Sequence, residues 1–249
     1  MKPYLFYLGL FCSFASTTFG IEPFGELTPG VSLRYEHKNQ KSQQTTGFSE
    51  LRYDEAASGD LEERLKNRKP DGAIFQEKLS RFTENGVLLS YQETDHRNGL
   101  HINNQYDRQK ITTTLTKGGK SKTMSTQLSA DLVPFEVLTL FLASKLEAIQ
   151  QKKKITFTLF LPQLGFDTEQ FTQIKVNASL VSQGKITSVR GEEPSVQILV
   201  TPASPLLQML LPADKSQFRF TYLTNKPAVL YQFSESQTRS TLTKRTQIK

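Results

Sequence analysis

Three histidines are the first residues to consider for chemistry, because an imidazole can bind zinc or act as a general base. They are His37, His96 and His101. A two-residue turn at Asn98-Gly99 would place His96 directly opposite His101. Such a pair supplies two zinc ligands, but the sequence identifies no third ligand for them. We therefore interpret the hairpin as a polar tip and predict no metal site.

Other catalytic patterns are absent or have the wrong spacing. The segment TKGGKSKT at 116–123 lacks the P-loop glycine, whose place is taken by Thr114, and no long helix is predicted after it. Glu192 and Glu193 are adjacent, so in a strand they would point to opposite faces and could not flank one glycosidic bond. No Gly-x-Ser-x-Gly or His-Glu-x-x-His motif occurs. We predict no catalytic residue and no cofactor, and an enzyme is the less favoured class.

Residues 1–20, MKPYLFYLGLFCSFASTTFG, have the pattern of a secretory signal peptide. Lys2 precedes an apolar run that is too short to cross ~30 Å of hydrocarbon as a helix. We expect cleavage after Gly20, with Ala15 as the alternative, and a periplasmic or secreted mature protein without a transmembrane helix. Cys12 is the single cysteine and lies in this segment, so we expect neither a lipid anchor nor a thiolate site in the mature chain.

The charge balance is basic, with 31 Lys+Arg against 24 Asp+Glu and a net charge of +7. A basic exported protein is attracted weakly to anionic lipid head groups or cell-wall polymers, whereas nucleic acid is not an expected partner outside the cytoplasm. A cluster of lysines at one hairpin tip is either solvated or in contact with phosphate head groups. Its members are Lys117, Lys120 and Lys122.

Residues 21–249 are interpreted as a single β-rich domain, because turn signals recur between short alternating segments. Glycine and asparagine tolerate the positive φ of two-residue hairpin turns. Five hairpins in one chain indicate a largely antiparallel sheet. The signals are Asn85-Gly86, Asn98-Gly99, Gly118-Gly119, Gln183-Gly184 and Asn225-Lys226.

The last of these hairpins has a register that makes one face dry. If Asn225-Lys226 forms a two-residue loop, aromatic residues pair across the strands, and such pairs stabilise a sheet by about 0.2–1 kcal/mol each. We interpret them mainly as core. The predicted pairs are Tyr222 with Val229, Phe220 with Tyr231, and Phe218 with Phe233.

Two helices interrupt the predicted strands. Residues 133–151 carry apolar side chains at intervals of three and four, so this long helix should be enclosed by a sheet. A shorter, almost wholly apolar helix is predicted at 204–212, where Ser204 can cap and Pro212 ends the run, and it too should be covered. The polar segment 60–67 is a candidate for a short surface helix.

From about residue 72 onward, the order of segments resembles a family of uncharacterised exported bacterial proteins defined by a domain of unknown function. The resemblance rests on a hairpin meander at 72–128, then VPFEVLTLFLASKLEAI and KITFTLFLPQ, and finally VQILVTP followed by SPLLQMLLP and FRFTYLTNKPAVLYQF. It covers most of the chain beyond residue 72 and contains no catalytic signature. It implies a half-barrel like that of envelope lipoprotein carriers, and it implies no activity.

The predicted fold is therefore mainly β, with a curved antiparallel sheet or partly open barrel wrapped around one long and one short α-helix. The favoured function is binding or carrying a lipid-like or other amphiphilic ligand in the cell envelope. The alternatives are a hydrolase acting on an envelope polymer and a structural or assembly partner in the envelope. The candidate ligand-binding residues are Phe135, Phe141, Leu142, Phe157, Phe160, Phe218, Phe220 and Tyr231, with Lys152, Lys153 and Lys154 for a head group.

Overall fold

A computed structural model describes residues 29–165, 172–188, 190–210, 217–225, 228–235 and 237–247. Within these residues, fifteen strands form one sheet. The strands are β1 (Val31–Asn39), β2 (Thr45–Glu55), β3 (Leu61–Arg68), β4 (Ile74–Phe82), β5 (Leu88–Asp95), β6 (Leu100–Tyr106), β7 (Lys110–Lys117), β8 (Lys120–Gln127), β9 (Leu132–Pro134), β10 (Lys154–Phe160), β11 (Gln173–Ser188), β12 (Gly191–Pro202), β13 (Phe218–Leu223), β14 (Val229–Glu235) and β15 (Thr238–Gln247).

The sheet consists of two antiparallel meanders, β1–β8 and β10–β15, which meet where the first strand of the chain lies beside the last. Its order is β8-β7-β6-β5-β4-β3-β2-β1-β15-β14-β13-β12-β11-β10-β9, so β1 pairs with β15. Only β9 pairs in parallel, through Thr158 and its neighbours on β10. Strands β8 and β9 form the two edges of the sheet. The sheet curls around the helices that follow β9 and precede β10 in the sequence. This arrangement confirms the predicted curved antiparallel sheet wrapped around helices.

The long helical segment is shorter and less regular than predicted. Leu132–Pro134 form strand β9, a 3-10 turn follows at Phe135–Val137, and the helix itself is divided into α1 (Leu138–Ser144) and α2 (Leu146–Lys152). The division lies at Lys145, whose φ of −101° and ψ of 7° depart from helical values. Apolar periodicity extends over both pieces, and it cannot reveal this local break because the same stripe faces the sheet on either side of it.

The core lies between these helices and the strands on the C-terminal side of the sheet. Leu138, Leu142 and Ile149 are at most 2 % exposed and pack against buried residues of β10–β13 and β1. Tyr222 also donates a hydrogen bond of 2.8 Å to the backbone oxygen of Thr139, which fastens α1 to β13. The buried stripe predicted for 133–151 is therefore confirmed.

The short helix α3 (Pro205–Leu210) begins where predicted, with the Ser204 hydroxyl 3.4 Å from the Leu207 nitrogen. Its expected cover is wrong for two of its residues. Leu206 is 59 % exposed and Met209 is 81 % exposed. An apolar segment that follows a strand at the end of a sheet can protrude from that end, and composition alone does not distinguish this position from a buried one.

Two turns predicted in the C-terminal half of the chain differ from the structure. Gln183-Gly184 lies inside β11, where Gly184 is opposite Ser195, and the hairpin instead turns before Gly191 with its φ of 103°. At the last hairpin Leu223 pairs with Val229, so the connection is longer than two residues. A two-residue turn at 225–226 would require an N–H at position 227 for the ladder, and the proline there in the sequence has none.

The aromatic register of that hairpin is corrected accordingly. Phe220 is opposite Phe233, Phe218 is opposite Glu235, and a bulge between Thr221 and Tyr222 displaces the predicted partners. The rings of Phe218 and Phe220 nevertheless remain near the ring of Phe233, with centroid distances of 6.3 and 5.0 Å, respectively.

Residues 60–67 are not a surface helix, since Leu61–Arg68 form β3 in the middle of one half of the sheet. No helix within the described residues is long and apolar enough to cross a membrane. The predicted signal peptide at 1–20 lies outside the described residues.

Candidate functional site

A continuous row of hydrogen-bonded polar side chains crosses the concave face of the sheet. The row runs from β15 to β5. The strand register brings inward-facing positions of these six adjacent strands close together, so their side chains can bond to one another. We call it the polar row. Its members are Ser240, His37, Ser49, Asn67, Gln76 and Glu93.

The links at the histidine end are short. Nδ1 of His37 lies 2.6 Å from Oγ of Ser240, and Nε2 lies 2.5 Å from Oγ of Ser49. The Ser49 hydroxyl in turn contacts the side-chain oxygen of Asn67. One imidazole thus joins hydroxyls from β15 and β2, the two strands on either side of its own.

The carboxylate end determines the direction of every proton in the row. A carboxylate only accepts, so Gln76 donates from Nε2 to Oε1 of Glu93, at 2.6 Å. The oxygen of Gln76 then accepts from Nδ2 of Asn67, also at 2.6 Å, and the oxygen of Asn67 accepts from Ser49. Ser49 must therefore accept from Nε2–H of His37, which leaves Nδ1 as the acceptor for the Ser240 hydroxyl.

The environment of His37 favours this neutral form. Burial lowers the pKa of His37, because the imidazolium loses solvation.

Gly47 stands opposite His37, and a Cβ there would lie 2.3 Å from the backbone oxygen of Arg68. The absence of a side chain at 47 lets β2 and β3 approach closely beside the imidazole.

Lys78 is the central cation of the concave face. Its Nζ is 3.7 Å from Oε2 of Glu93, with the two side chains 21 % and 12 % exposed. Burial raises the pKa of Glu63 to about 7, and a hydrogen bond from Tyr53 and the charge of Lys78 oppose this rise. The face therefore combines one half-buried cation with the carboxyl groups of Glu63 and Glu93.

A second polar cluster ties the start of the helical segment to the other half of the sheet. Glu136 accepts hydrogen bonds from Nδ2 of Asn104, at 2.8 Å, and from the hydroxyl of Tyr106. Asn104 also accepts from Thr113 at 2.8 Å. Burial raises the pKa of Glu136, which Tyr106 opposes as a donor. These contacts hold the helices against β6 and β7.

The candidate ligand-binding residues from the sequence fall into three groups. Leu142, Phe157, Phe160 and Phe220 are 0–2 % exposed and form core. Phe160 lies apart from the others in a small cluster with Ile111 and Leu132. The half-buried residues are Phe135, Phe141, Phe218 and Tyr231, and the exposed residues are Lys152, Lys153 and Lys154.

Only part of the candidate set comes together. The rings of Phe141 and Phe157 are 4.9 Å apart, and both contact the core that contains Leu142. Tyr231 is held elsewhere, since its hydroxyl donates to the Thr187 oxygen at 3.2 Å. The three lysines lie where α2 meets β10, and neither element contributes a side chain to the polar row.

The predicted His96–His101 pair does not form. Thr94 is opposite His101 and Asp95 is opposite Leu100, so the turn is longer than two residues. Asp95 accepts from the backbone and side chain of Arg97, which stabilises this wider turn. No three potential ligand side chains cluster around a metal position in the described part of the chain.

Sequence reasoning missed the polar row entirely. Its members lie on six strands, and no spacing along the chain connects them. The available signal was the set of polar residues at inward positions of β2–β5, which interrupts the expected apolar alternation. Without the register, a polar inward residue cannot be distinguished from an outward one.

Comparison with known proteins shows the fold. No family model matches the sequence, and no curated protein matches it. A β-barrel-like protein of the domain of unknown function DUF1849 from Brucella abortus has 12 % identity and a TM-score of 0.56, over 88 % of this chain and 97 % of that chain. A protein with a YmcC-like fold from Bacteroides fragilis has 8 % identity and a TM-score of 0.35, over 88 % and 96 %. The half-barrel architecture implied by the sequence resemblance is confirmed by the first of these structures.

Proposed function

We propose that this protein acts outside the cytoplasm, after removal of residues 1–20, as a non-enzymatic binder or carrier of an amphiphilic, lipid-like ligand. The observation that carries the proposal is the two-sided character of the concave face. Helices α1 and α2 pack against the C-terminal strands, whereas β2–β5 carry the inward-facing polar side chains of Ser49, Asn67, Gln76 and Glu93.

The boundary between the two sides is the proposed binding position. Ser240 is opposite both His37 and Phe233, so the aromatic group of β13 and β14 adjoins the beginning of the polar row. An amphiphile placed there would have its apolar part against aromatic rings and its polar group near hydrogen-bonding side chains. Ligand sites generally combine apolar walls with a few oriented polar groups.

The proposed contacts exclude the most buried of the candidate residues. Leu142 is 0 % exposed, so replacing it with tryptophan would disturb the core as well as any ligand. Leu65 is a better probe, because it faces inward between Leu51 and Lys78 and is only half-buried. A large side chain at 65 would occupy the concave face beside the polar row.

The experiment is a titration of the exported protein with a soluble fluorescent fatty acid, comparing wild type with Leu65→Trp. We expect saturable binding by the wild type and at least about tenfold weaker binding by the variant, equivalent to 1.4 kcal/mol. Leu79→Trp is the matched control, since Leu79 follows Lys78 on the same strand and faces outward. Absence of saturable binding, or equal loss in both variants, would overturn the proposal.

The hydrolase alternative now has one specific supporting observation. The neutral form of His37 directs its Nδ1 lone pair at the Ser240 hydroxyl, which is the arrangement of a nucleophile and its base. In ester hydrolysis, Oγ of Ser240 would bond to the carbonyl carbon as the ester C–O bond breaks. His37 would pass the hydroxyl proton to the leaving alcohol, and water would then release the acyl group.

This second function is tested by assaying aryl esters of increasing chain length with wild type and Ser240→Ala. A true site predicts activity that falls to background in Ser240→Ala and survives in Ser234→Ala. Ser234 is a buried serine whose neighbour Phe233 is opposite Ser240. Activity that is equal in both variants, or absent from the wild type, would eliminate this alternative.

A further inference from the structure

Antiparallel pairing places many of the connections between strands at one end of the half-barrel. Asn39 is opposite Thr238 and Phe218 is opposite Glu235, so the end of β1 is level with the ends of β12 and β14. We call this end the lysine rim. It comprises the described residues of the connections β1–β2, β3–β4, β5–β6, β7–β8, β10–β11, β12–β13 and β14–β15.

Large apolar side chains are exposed mainly at this rim. Among the described residues, the exposed large hydrophobic side chains are Leu164 at 43 %, Val181 at 43 %, Leu206 at 59 % and Met209 at 81 %. Leu164 belongs to the β10–β11 connection, and Leu206 and Met209 belong to α3 in the β12–β13 connection. Val181 alone lies within a strand, β11.

Exposed lysines mark the other connections of the same rim. They are Lys41 between β1 and β2, Lys69 between β3 and β4, and Lys117 and Lys120 flanking the β7–β8 turn. The exposed carboxylates there are Asp71 and Glu235, and Asp95 is paired with Arg97 at 2.6 Å. Among the described residues of this rim, the four exposed lysines therefore outnumber the exposed carboxylates.

The opposite end differs in both respects. Its connections carry charges of both signs, and no large apolar side chain in the described residues of these connections is strongly exposed. The charged residues there are Asp60, Glu84, Asp107 and Asp131, together with Arg108, Lys152, Lys153 and Arg190.

We propose that the lysine rim docks on an anionic lipid bilayer, with Leu206, Met209 and Leu164 inserted among the lipids and the hairpin lysines against the head groups. Apolar side chains on a short helix, at the same end of the sheet as exposed lysines of other hairpins, suit an interface that is apolar inside and negative at its surface. A protein partner fits less well, because lysine is depleted at protein interfaces. The bilayer surface is distinct from the concave ligand site.

The test is sedimentation of the exported protein with vesicles of phosphatidylcholine, with and without phosphatidylglycerol. We expect binding only to vesicles that contain phosphatidylglycerol, and weaker binding as salt is raised. Leu206→Ser combined with Met209→Ser should abolish most of this binding. Val181→Ser is the control for a lost exposed apolar residue elsewhere, and it should bind as the wild type does.

A charge-matched pair of triple variants separates the rim from the net charge. Replacing Lys69, Lys117 and Lys120 by Gln should weaken binding by about 100-fold, from about fivefold for each lysine near an anionic surface. Replacing Arg108, Lys152 and Lys154 by Gln removes the same charge from the opposite end and should have a much smaller effect. All of these positions are exposed, so the variants should retain the wild-type melting temperature.

The outcomes distinguish this inference from ligand binding in the concave face. Leu65→Trp should sediment with anionic vesicles as the wild type does, and the rim variants should bind the soluble fatty acid normally. Equal binding to both vesicle types, equal effects of the two triple variants, or unchanged binding after loss of Leu206 and Met209 would each overturn the proposal. A failure of fatty acid binding would leave the vesicle result intact.

Discussion

At the scale of residues, the concave face shows how carboxyl groups and a cation share a partly dry environment. Glu63 and Glu136 are both half-buried, and burial raises the pKa of each. Lys78 opposes these rises, and Tyr53 and Tyr106 oppose them by donating hydrogen bonds. The side chains are satisfied, since no buried side-chain nitrogen or oxygen of the described residues lacks a hydrogen bond.

The pKa of Glu63 predicts a pH dependence of stability. A folded-state pKa of about 7, above the ordinary value of 4.5, means that the folded protein holds a proton which the unfolded chain releases. The contribution of Glu63 to stability is therefore greatest below pH 4.5 and is lost as the pH rises toward 7. Glu63→Gln should reduce the fall in unfolding free energy between pH 4.5 and pH 8 by up to about 3 kcal/mol.

Urea denaturation at those two pH values measures this difference. Glu84→Gln is the control, because Glu84 is exposed in the β4–β5 turn and its replacement should leave the pH dependence as it is in the wild type. If Glu63→Gln and Glu84→Gln give the same pH dependence as the wild type, Glu63 is not protonated in the folded state near neutral pH.

Gly47 supports a steric prediction. A Cβ at 47 would lie 2.3 Å from the Arg68 oxygen, which is a backbone atom and cannot move without the strand. Gly47→Ala should therefore destabilise the protein by about 1–3 kcal/mol. Gly184→Ala is the comparison, because a Cβ at 184 meets nothing within 4 Å, and it should be neutral or slightly stabilising. Chemical denaturation of both variants decides the matter, and equal midpoints would contradict the close approach of β2 and β3.

At the scale of elements, the helical segment shows which local features the sequence can predict. The apolar stripe of 133–151 was sufficient to predict burial, because intervals of three and four place side chains on one face. The strand at Leu132–Pro134 and the break at Lys145 were not predictable in this way. The former depends on pairing with β10, and pairing partners are distant in the sequence.

Truncation of the stripe gives a prediction for α1. Leu138 is 2 % exposed and belongs to the main core, so Leu138→Ala should lower the free energy of unfolding by about 2–5 kcal/mol. Leu206→Ala on α3 makes the same chemical change at a position that is 59 % exposed and should cost no more than about 0.5 kcal/mol. Urea midpoints measure both, and similar losses would show that α1 is peripheral.

At the scale of the whole molecule, one continuous sheet positions both the core around the helices and the polar row. The pairing of β1 with β15 brings the two meanders together and places His37 beside Ser240, which are 203 positions apart. The apolar and polar halves of the concave face meet at this junction. The proposed ligand position therefore depends on the pairing of the first strand with the last.

Export gives the prediction for the whole chain. We expect the mature protein to begin near Ile21, without a lipid on Cys12, because the segment 1–20 has the charge and apolar pattern of a cleaved signal peptide. Intact mass spectrometry of protein recovered from the cell envelope measures this directly. Retention of Met1, or the added mass of a diacylglyceryl group, would contradict it.

Alternation, turn residues and an apolar stripe were enough to predict the class of fold, because they are local consequences of strand and helix geometry. They also predicted the Gly118-Gly119 hairpin, where a two-residue turn leaves one register. The pairing of Phe220 with Phe233, the exposure of Leu206 and Met209, and the polar row follow from the folded chain alone. These depend on register and closure, and a shift of register moves a side chain to another partner or another face without changing the local pattern.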